Sequence, residues 1–375
     1  MAEKLLMKGN EAIAVAAIRC GCDGYFGYPI TPQSEIMETL TEKDPENDTG
    51  MIVVQAESEV AAINMVYGGA ACGKKVMSSS SSPGISLMTE GISYIAGAEL
   101  PCVVVNIMRG GPGLGTIQPG QADYFQAVKG GGHGDYNMIV LAPASVQEMN
   151  DFVELGFDLA FKYRNPVMIL SDGVIGQMME KVELSPIKPR WTDEEIIKLH
   201  GTWATTGKTP DRERRIITSV DLDPYSQEQF NHKLQQKYQE IKKNEVRYET
   251  LMCNDADYLF IAYGLSARVC RKAMELARES GIKVGVIRPI TLFPYPYEAI
   301  IEHLPHIKGI LTVEMSAGQM VEDVSLAVKG RVPLYFYGRT GGMLPAPEDV
   351  FSVIKQINAG VSIENIDAPG IKKEI

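Results

Sequence analysis

The sequence predicts an α/β protein with two largely parallel sheets, and three observations support this fold class. Short apolar runs alternate with helical patterns over residues 1–185. A polar, irregular stretch follows from Pro186 to Met252, and the alternation returns from Ala256. Strands that alternate with helices form right-handed crossovers, so each alternating region predicts an open parallel sheet.

The first region contains five predicted buried strands. Each is almost continuously apolar, as in parallel sheets that are covered on both faces. They are MIVVQ, KKVMSSS, PCVVVNIM, MIVLAP and PVMILSDG. Helical patterns such as SEVAAINMVYGGAACG and PGISLMTEGISYIAGAE lie between them. We therefore predict a first domain over residues 1–190.

The rest of the chain predicts a linker and a second, smaller domain. Residues 191–252 are interpreted as a linker with a charged, exposed helix in SQEQFNHKLQQKYQEIKKNEVRYETL, with a regulatory element as the alternative. Residues 253–375 predict a second parallel-sheet domain. Its strands are DYLFIAYG, KVGVIRP, GILTVEM and LYFYG, and its helix is ARVCRKAMELARESG.

The composition excludes several functional classes. The chain has 375 residues, a net charge of −11 and 45% hydrophobic residues, which favours a globular protein that binds neither nucleic acid nor anionic membranes. No apolar run has the length of a membrane span, and the first residues lack a signal peptide's apolar core. We expect a cytoplasmic protein. Its six cysteines are scattered without a C-x-x-C pair, which predicts reduced, mostly buried thiols rather than metal ligands.

Polar residues follow several strands of the first domain. Ligands collect at the carboxyl ends of strands in open α/β sheets, so these residues are candidates for a site. They are Thr31 after YFGY, Glu57 and Glu59 after MIVVQ, Ser80 to Gly84 after KKVM, Arg109 after CVVVNIM, and Asp172 after VMIL. Thr31 lies between Pro29 and Pro32, whose fixed φ angles make the turn rigid and orient the hydroxyl.

Glu59 is the most informative candidate. In a helix that begins near Ser58, it shares a face with Ile63 and Val66. A carboxylate on an apolar face is desolvated and favours proton sharing with a partner. The alternative is an acidic residue that the helix dipole favours in the first turn, which suits Glu57 equally well.

Three further stretches carry residues suited to binding or catalysis. Arg109 precedes a long glycine-rich loop, and its guanidinium can clamp a carboxylate with two parallel hydrogen bonds or form a structural salt bridge. SSSSSPG lies between a strand and a helix pattern, so it predicts a helix cap that offers N–H groups to a ligand, with a flexible linker as the alternative. His133 lies in GGGHGDYNM and is interpreted as a surface residue, with an active-site role as the alternative.

Several of these stretches resemble the α subunit of the 2-oxoacid:ferredoxin oxidoreductases. They are GYPITPQSE, AESEVAAINMVYGGA, SSSPGISLMTEGISY, NIMRGGPGLG and VMILSDGVIGQ, with VIRPITLFP and YGRTGG in the second domain. The resemblance implies a thiamine-diphosphate pyrimidine-binding domain followed by a transketolase-C-terminal-like domain.

The resemblance also implies roles for particular residues. Glu59 matches the glutamate that hydrogen-bonds N1′ of the cofactor's aminopyrimidine. Thr31 and Arg109 match residues that contact the 2-oxoacid. The family's cofactor-binding loop matches Ser80, Ser81, Pro83 and Gly84.

The implied reaction is an oxidative decarboxylation with coenzyme A as co-substrate and ferredoxin as electron acceptor. This chain has neither a G-D-G motif followed by an asparagine nor a cysteine motif. The resemblance therefore implies a β subunit that holds the diphosphate, Mg²⁺ and a [4Fe-4S] cluster, and γ and ferredoxin-like subunits that complete the electron path. We expect no metal site on this chain and no activity from it alone.

The predicted substrate is a branched-chain 2-oxoacid, 2-oxoisovalerate. GPGLGTIQPGQADYFQA and GGGHGDYNM resemble that subfamily more than the 2-oxoglutarate type. The alternatives are the same chemistry on 2-oxoglutarate or pyruvate and, in another class, a non-catalytic scaffold. Ser82 departs from the family, in which many relatives have glycine, and its Cβ is expected to narrow the approach to the cofactor.

Overall fold

The computed structural model describes residues 3–208, 210, 214–366, 368 and 370–372. The strands are β1 (Lys4–Lys8), β2 (Gly24–Gly27), β3 (Ile52–Gln55), β4 (Val76–Ser80), β5 (Cys102–Met108), β6 (Ile139–Leu141), β7 (Pro166–Asp172), β8 (Met179–Glu183), β9 (Tyr248–Leu251), β10 (Tyr258–Ile261), β11 (Val284–Pro289), β12 (Thr291–Phe293), β13 (Gly309–Glu314), β14 (Leu334–Gly338) and β15 (Ile371–Lys372).

Helices connect most of these strands. They are α1 (Gly9–Arg19), α2 (Ser34–Lys43), α3 (Pro45–Thr49), α4 (Glu59–Ala71), α5 (Pro83–Gly97), α6 (Tyr124–Val128), α7 (Val146–Tyr163), α8 (Gly173–Gln177), α9 (Asp193–His200), α10 (Pro224–Asn244), α11 (Gly264–Glu279), α12 (Tyr297–Ile301), α13 (Met320–Val328) and α14 (Pro347–Asn358), with a 3₁₀ turn at Ile363–Asn365.

The first sheet has the strand order β12-β6-β7-β5-β4-β2-β3 and is parallel except for β12. All five predicted strands of this region are confirmed. Every residue of β5 and β7 is buried, because helices cover both faces of the centre of the sheet. The carboxyl ends of its parallel strands therefore meet at one edge.

The second sheet has the order β15-β14-β13-β10-β11-β9. Its four predicted strands, β10, β11, β13 and β14, are parallel, while β9 and β15 flank them antiparallel. The predicted α/β class with two parallel-rich sheets is confirmed.

Two strand pairings at the first domain were not predicted. Strands β1 and β8 form a separate antiparallel pair. Strand β12 lies only two residues beyond β11 but crosses to the first sheet and pairs with β6. A three-residue strand carries too little periodicity to show which sheet it joins.

Helix α10 keeps most of its residues exposed, as predicted, but packs one face against the first domain. Leu234, Tyr238 and Ile241 are buried on one of its faces, at the i, i+4, i+7 spacing of an amphipathic helix. At the end of the helix, the Glu245 carboxylate accepts hydrogen bonds from Lys162 and Tyr163 of α7. The domain boundaries at residues 190 and 252 stay a prediction.

Gln121 joins the second domain to the strand ends of the first. Its buried amide donates to the carbonyl of Tyr263 (3.0 Å) and accepts from the Ser266 hydroxyl (2.8 Å) and the Met315 N–H (3.0 Å). An amide satisfied on three sides inside the protein specifies one docking geometry. The second domain is thereby held over the edge where the candidate residues lie.

Two further properties of the described residues concern their helices and their cysteines. Every helix among them is too short or too polar to cross a bilayer. The six cysteines are free, and all except Cys72 are buried, as predicted.

Candidate active site

The candidate residues lie at one edge of the first sheet. Strands β2, β3, β4, β5 and β7 run parallel, and the segments that leave their carboxyl ends carry, in strand order, Thr31, Glu59, Ser80 to Gly84, Arg109 and Asp172. This placement was predicted from the strand pattern. The structure divides the residues into two groups, one around Glu59 and one around Arg109.

Glu59 is the first residue of α4, and its side chain is 6% exposed. The preceding Ser58 caps the helix, because its hydroxyl accepts the Ala61 N–H at 3.2 Å. Ile63 and Val66 are buried on the face that Glu59 shares, as predicted. Among the described residues, none donates a hydrogen bond to the Glu59 carboxylate, so a buried acceptor lacks a protein partner.

Gly84 brings the serine-rich turn against this carboxylate. A Cβ built on Gly84 would lie 2.0 Å from Ser80 Oγ and 2.6 Å from Glu59 Oε1. The hydroxyls of Ser80 and Ser81 are buried without a hydrogen-bond partner in the described structure. Gly84 therefore packs directly against both side chains, with no room for a side chain of its own. An unpaired carboxylate and unpaired hydroxyls held together in this way fit the polar edge of a ring such as an aminopyrimidine.

Arg109 and Thr31 form the second group. The Arg109 guanidinium donates from Nη1 to the Thr31 carbonyl (3.0 Å) and from Nη2 to the Leu114 carbonyl (2.8 Å). Its Nε–H is buried without an acceptor in the described structure. Arg109 pairs with no described carboxylate, which counts against the alternative of a structural salt bridge. The contact with Thr31 uses the backbone carbonyl and leaves the exposed Thr31 side chain free of this guanidinium.

Ser82 connects the two groups, and its side chain does not cap α5, contrary to the predicted helix cap. Its hydroxyl donates to Asp123 (2.6 Å) and accepts the Arg109 N–H (3.0 Å). Asn106 also donates to Asp123, at 2.9 Å. Burial raises the pKa of Asp123, and the hydrogen bonds from Ser82 and Asn106 oppose that rise.

Sequence reasoning missed this network, although one signal was available. Asn106 is a polar residue inside the apolar strand VVVNIM. A buried amide in a central strand needs a partner, and the structure supplies Asp123 from the loop that follows Arg109.

A second missed set of residues holds the Thr31 turn. Asn10 donates to the Pro32 carbonyl at 2.8 Å and to Glu35 at 2.6 Å, and Gln177 donates to both of these residues. Burial raises the pKa of Glu35, but hydrogen bonds from Asn10, Lys8 and Gln177 outweigh it and leave the pKa below its usual value.

Arg109 lines a cleft of about 570 Å³ between the two domains. Ser82 and Pro83 of the first domain and Gln319 and Thr340 of the second also line it. Thr31 lines a separate, shallower depression with Ile117 and Gln177. The two predicted substrate residues are therefore adjacent through the backbone but face different spaces.

The other candidates lie outside these two groups or have structural partners. Glu57 and the His133 side chain are exposed. Asp172 caps α8 and accepts the Leu265 N–H at 3.1 Å, so it joins the two domains. The described residues contain no group of three metal-ligating side chains.

Comparison with protein families gives two matches along the chain. Residues 15–250 match the family described as "Pyruvate flavodoxin/ferredoxin oxidoreductase, thiamine diP-bdg". Residues 256–350 match "Pyruvate:ferredoxin oxidoreductase core domain II". The chain is also 50% identical over 353 residues to the Ketoisovalerate oxidoreductase subunit VorB of Methanothermobacter thermautotrophicus, which covers 94% of this chain and 97% of that protein.

Two solved structures are similar. The 2-oxoglutarate:ferredoxin oxidoreductase from Magnetococcus marinus, with 2-oxoglutarate, coenzyme A and succinyl-CoA bound, has a TM-score of 0.80 and 27% identity, covering 95% of this chain and 65% of that chain. A split gene transketolase, an inactive beta4 tetramer, has a TM-score of 0.57 and 14% identity over 93% of this chain and 97% of that one, which shows a shared fold alone. From the family matches and the 50% identity, we conclude that the chain belongs to the thiamine-diphosphate-binding 2-oxoacid:ferredoxin oxidoreductases, as a subunit of such a complex.

Proposed function

We propose that this chain is the α subunit of an enzyme that converts 2-oxoisovalerate and coenzyme A to an acyl-CoA and CO₂, with reduction of ferredoxin. Its 50% identity to a ketoisovalerate oxidoreductase subunit exceeds its 35% identity to 2-oxoglutarate synthase subunits. The observation that carries the proposal is the unpaired Glu59 carboxylate, against which the serine-rich turn packs at Gly84.

The first group of residues is proposed to hold the pyrimidine end of thiamine diphosphate. When bound, thiamine diphosphate supplies the carbon nucleophile and electron sink that decarboxylation of a 2-oxoacid requires. Glu59 is proposed to accept a hydrogen bond from a ring nitrogen, and the low exposure of its side chain strengthens such a bond. Ser80 and Ser81 offer hydroxyls that otherwise lack partners. Pro83 begins α5 and places Gly84, whose lack of a side chain lets the turn approach Glu59 and Ser80.

The second group is proposed to hold the substrate. Arg109 keeps its Nε–H and one hydrogen on each terminal nitrogen for a carboxylate, because only two of its five N–H groups have protein acceptors. The Thr31 side chain faces the separate depression, so its proposed hydrogen bond to the keto oxygen requires the Thr31 turn to move toward the cleft. Arg109 is the only basic residue among those that line the cleft within the described structure, and Asp123 lines it too. A single cation suits a monocarboxylate such as 2-oxoisovalerate better than the dicarboxylate 2-oxoglutarate.

The partner subunits are proposed to complete the site. Close to Glu59, helices α4 and α5 expose the apolar residues Val60, Met65, Leu87 and Tyr94. Apolar side chains grouped on a surface mark an interface, and we assign this one to the β subunit with the diphosphate, Mg²⁺ and a [4Fe-4S] cluster. The γ and ferredoxin-like subunits and ferredoxin would carry the electrons, in the cytoplasm.

The direct test is an anaerobic assay of this chain co-expressed with its genomic neighbours. Reduction of a viologen dye is followed with coenzyme A and 2-oxoisovalerate, 2-oxoglutarate or pyruvate. We expect the highest kcat/KM with 2-oxoisovalerate. A preference for 2-oxoglutarate or pyruvate would keep the mechanism and overturn the substrate. No turnover of any 2-oxoacid by an iron-containing complex would favour a scaffold subunit.

A further inference from the structure

A large cleft in the described structure lies away from the Glu59 and Arg109 groups. It has a volume of about 710 Å³, within the range of small-molecule sites. Three parts of the chain form it: the end of α6 with Lys129, the end of α10 with Lys242 and Lys243, and residues 292–299 with Asp323 of the second domain. None of the residues assigned above to catalysis, cofactor or substrate lines it.

The wall formed by residues 292–299 is aromatic and rigid. Phe293, Tyr295 and Tyr297 alternate with Pro294 and Pro296. The rings of Tyr295 and Tyr297 pack edge to face, with centroids 5.1 Å apart. Aromatic rings and prolines with fixed φ angles present flat, preorganised surfaces, which favour a planar ring as ligand.

The Tyr295 hydroxyl is the polar group that the fold leaves unused in this wall. The side chain is 6% exposed, and its hydroxyl has no hydrogen-bond partner in the described structure. The neighbouring Tyr297 hydroxyl, by contrast, donates to Asp323 at 2.5 Å. Burial raises the pKa of Tyr295 well above its usual value, so the hydroxyl stays protonated. A buried donor without an acceptor is costly unless a ligand supplies the acceptor.

The open side of the cleft has a net positive charge. Lys129 is neutralised by Asp323, whose carboxylate lies 2.6 Å from its Nζ. Lys242 and Lys243 are exposed and pair with no described carboxylate, and Lys242 Nζ lies 5.7 Å from the centroid of the Phe293 ring. Glu298 also lines the cleft. Two free ammonium groups against one carboxylate favour a ligand with at least one negative charge.

We propose that this cleft is a second ligand site, which binds a planar aromatic ring that carries phosphate, as in an adenine nucleotide. The ring lies against Phe293 and Pro294, and the Tyr295 side chain turns so that its hydroxyl, which is buried in the free cleft, donates a hydrogen bond to it. The phosphates lie at the rim beside Lys242 and Lys243. Coenzyme A contains the same adenosine-phosphate chemistry, so two sources of the ligand are distinguished by experiment.

Calorimetric titration of the assembled complex with ADP tests the site. We expect ADP to bind more tightly than adenosine, because only ADP reaches the two lysines. The double variant Lys242→Glu/Lys243→Glu should weaken ADP binding about tenfold or more, the effect of losing charged hydrogen bonds. Tyr295→Phe removes one oxygen only and should weaken it about threefold to tenfold.

The matched control is Lys198→Glu/Lys355→Glu, which reverses two exposed lysines that do not line the cleft and should leave ADP binding unchanged. The occupant is the co-substrate if coenzyme A displaces ADP and if the Lys242/Lys243 double variant raises the KM for coenzyme A but not the KM for the 2-oxoacid. If coenzyme A leaves ADP bound, the occupant is a free nucleotide. Absence of ADP binding, or equal affinities in the double variant and the control, would overturn the site. Because binding is read by heat and not by turnover, this result is independent of the proposed function.

Discussion

Two buried carboxylates, one beside each parallel sheet, differ in what surrounds them. Glu314 ends β13, is fully buried, and accepts hydrogen bonds from the Ser316 hydroxyl (2.8 Å) and from the N–H groups of Gln319, Met320 and Val321 (2.9–3.1 Å). Glu59 follows β3, is 6% exposed, and has no donor among the described residues. The fold supplies four hydrogen-bond donors to the Glu314 carboxylate, whereas no described residue donates to the Glu59 carboxylate.

The difference separates a structural acid from a candidate catalytic one. Burial raises the pKa of Glu314, and four hydrogen bonds oppose that rise, so the carboxylate fixes the start of α13. Glu59 lies beside the Ser80 hydroxyl, which has no partner in the described structure, and both side chains lie close to Gly84. Native proteins leave few buried polar groups unpaired, and those that remain require an explanation such as a ligand. The same substitution at the two glutamates should therefore have opposite consequences.

Glu59→Gln should have the largest effect, and it should be on turnover. We expect kcat of the assembled complex to fall about 10²-fold or more, the scale of one general acid–base contribution. The melting temperature should stay unchanged, because the carboxylate has no protein donor to lose. Anaerobic dye reduction and thermal melting measure the two quantities. Near-normal turnover would remove Glu59 from the mechanism.

Arg109→Ala tests the second group of unsatisfied donors. We expect kcat/KM for the 2-oxoacid to fall about 10- to 100-fold, the effect of losing hydrogen bonds to a charged ligand, with little change in thiamine diphosphate affinity. Arg331→Ala is the matched control, since Arg331 also donates to two backbone carbonyls, those of Val328 and Ala327. An unchanged KM and kcat for Arg109→Ala would place this residue outside the substrate site.

Glu314→Gln should show the reverse of the Glu59 result. Replacing the carboxylate weakens four buried hydrogen bonds and should cost about 1–3 kcal/mol of unfolding free energy, or several degrees in Tm. The Glu314 carboxylate accepts the N–H of Gln319, which lines the Arg109 cleft. This indirect contact with the cleft should change kcat by a small amount at most. A variant with wild-type Tm and strongly reduced turnover would reverse the roles of the two glutamates.

Gly84→Ala tests the close approach of Gly84 to the side chains of Glu59 and Ser80. The added Cβ would meet both side chains at under 3 Å, so we expect about tenfold weaker binding of thiamine diphosphate, the effect of modest overpacking. Gly68→Ala in α4 is the control, because a Cβ there meets nothing within 4 Å. Titration of the complex measures the affinity for thiamine diphosphate. Equal affinities in the two variants would show that the close approach at Gly84 does not shape the cofactor site.

Glu245→Gln tests a carboxylate that has hydrogen-bond donors within the protein, and it should lower stability less than Glu314→Gln does. Burial raises the pKa of Glu245, but hydrogen bonds from Lys162, Tyr163 and Arg247 outweigh it and leave the pKa below its usual value of 4.5. The ionised group therefore stabilises the fold above pH 4.5, and this contribution is lost as the pH falls through the folded-state pKa.

The variant should lose about 1 kcal/mol at neutral pH. Its deficit in Tm relative to the wild type should shrink as the pH falls below about 4.5. Thermal melting of both proteins across this range measures the deficit. A deficit that does not depend on pH would show that the ionised carboxylate is not what stabilises this junction.

The sequence alone determined the central strands of both sheets and the edge at which the candidate residues lie. The apolar runs of β5 and β7 could only be buried strands, and a residue that follows a parallel strand must lie at its carboxyl edge. Thr31, Glu59 and Arg109 were placed at this edge from that rule. These are local properties, because strand periodicity and helix starts depend on neighbours a few residues away.

Only the tertiary structure decided which of these residues meet. Ser82 bonds to Asp123 41 residues later, and Arg109 bonds to the Thr31 carbonyl 78 residues earlier. Strand β12 joins the first sheet although it follows a strand of the second. Such contacts depend on how whole elements dock, and docking depends on the summed burial and hydrogen bonding of distant segments, which a local pattern does not contain.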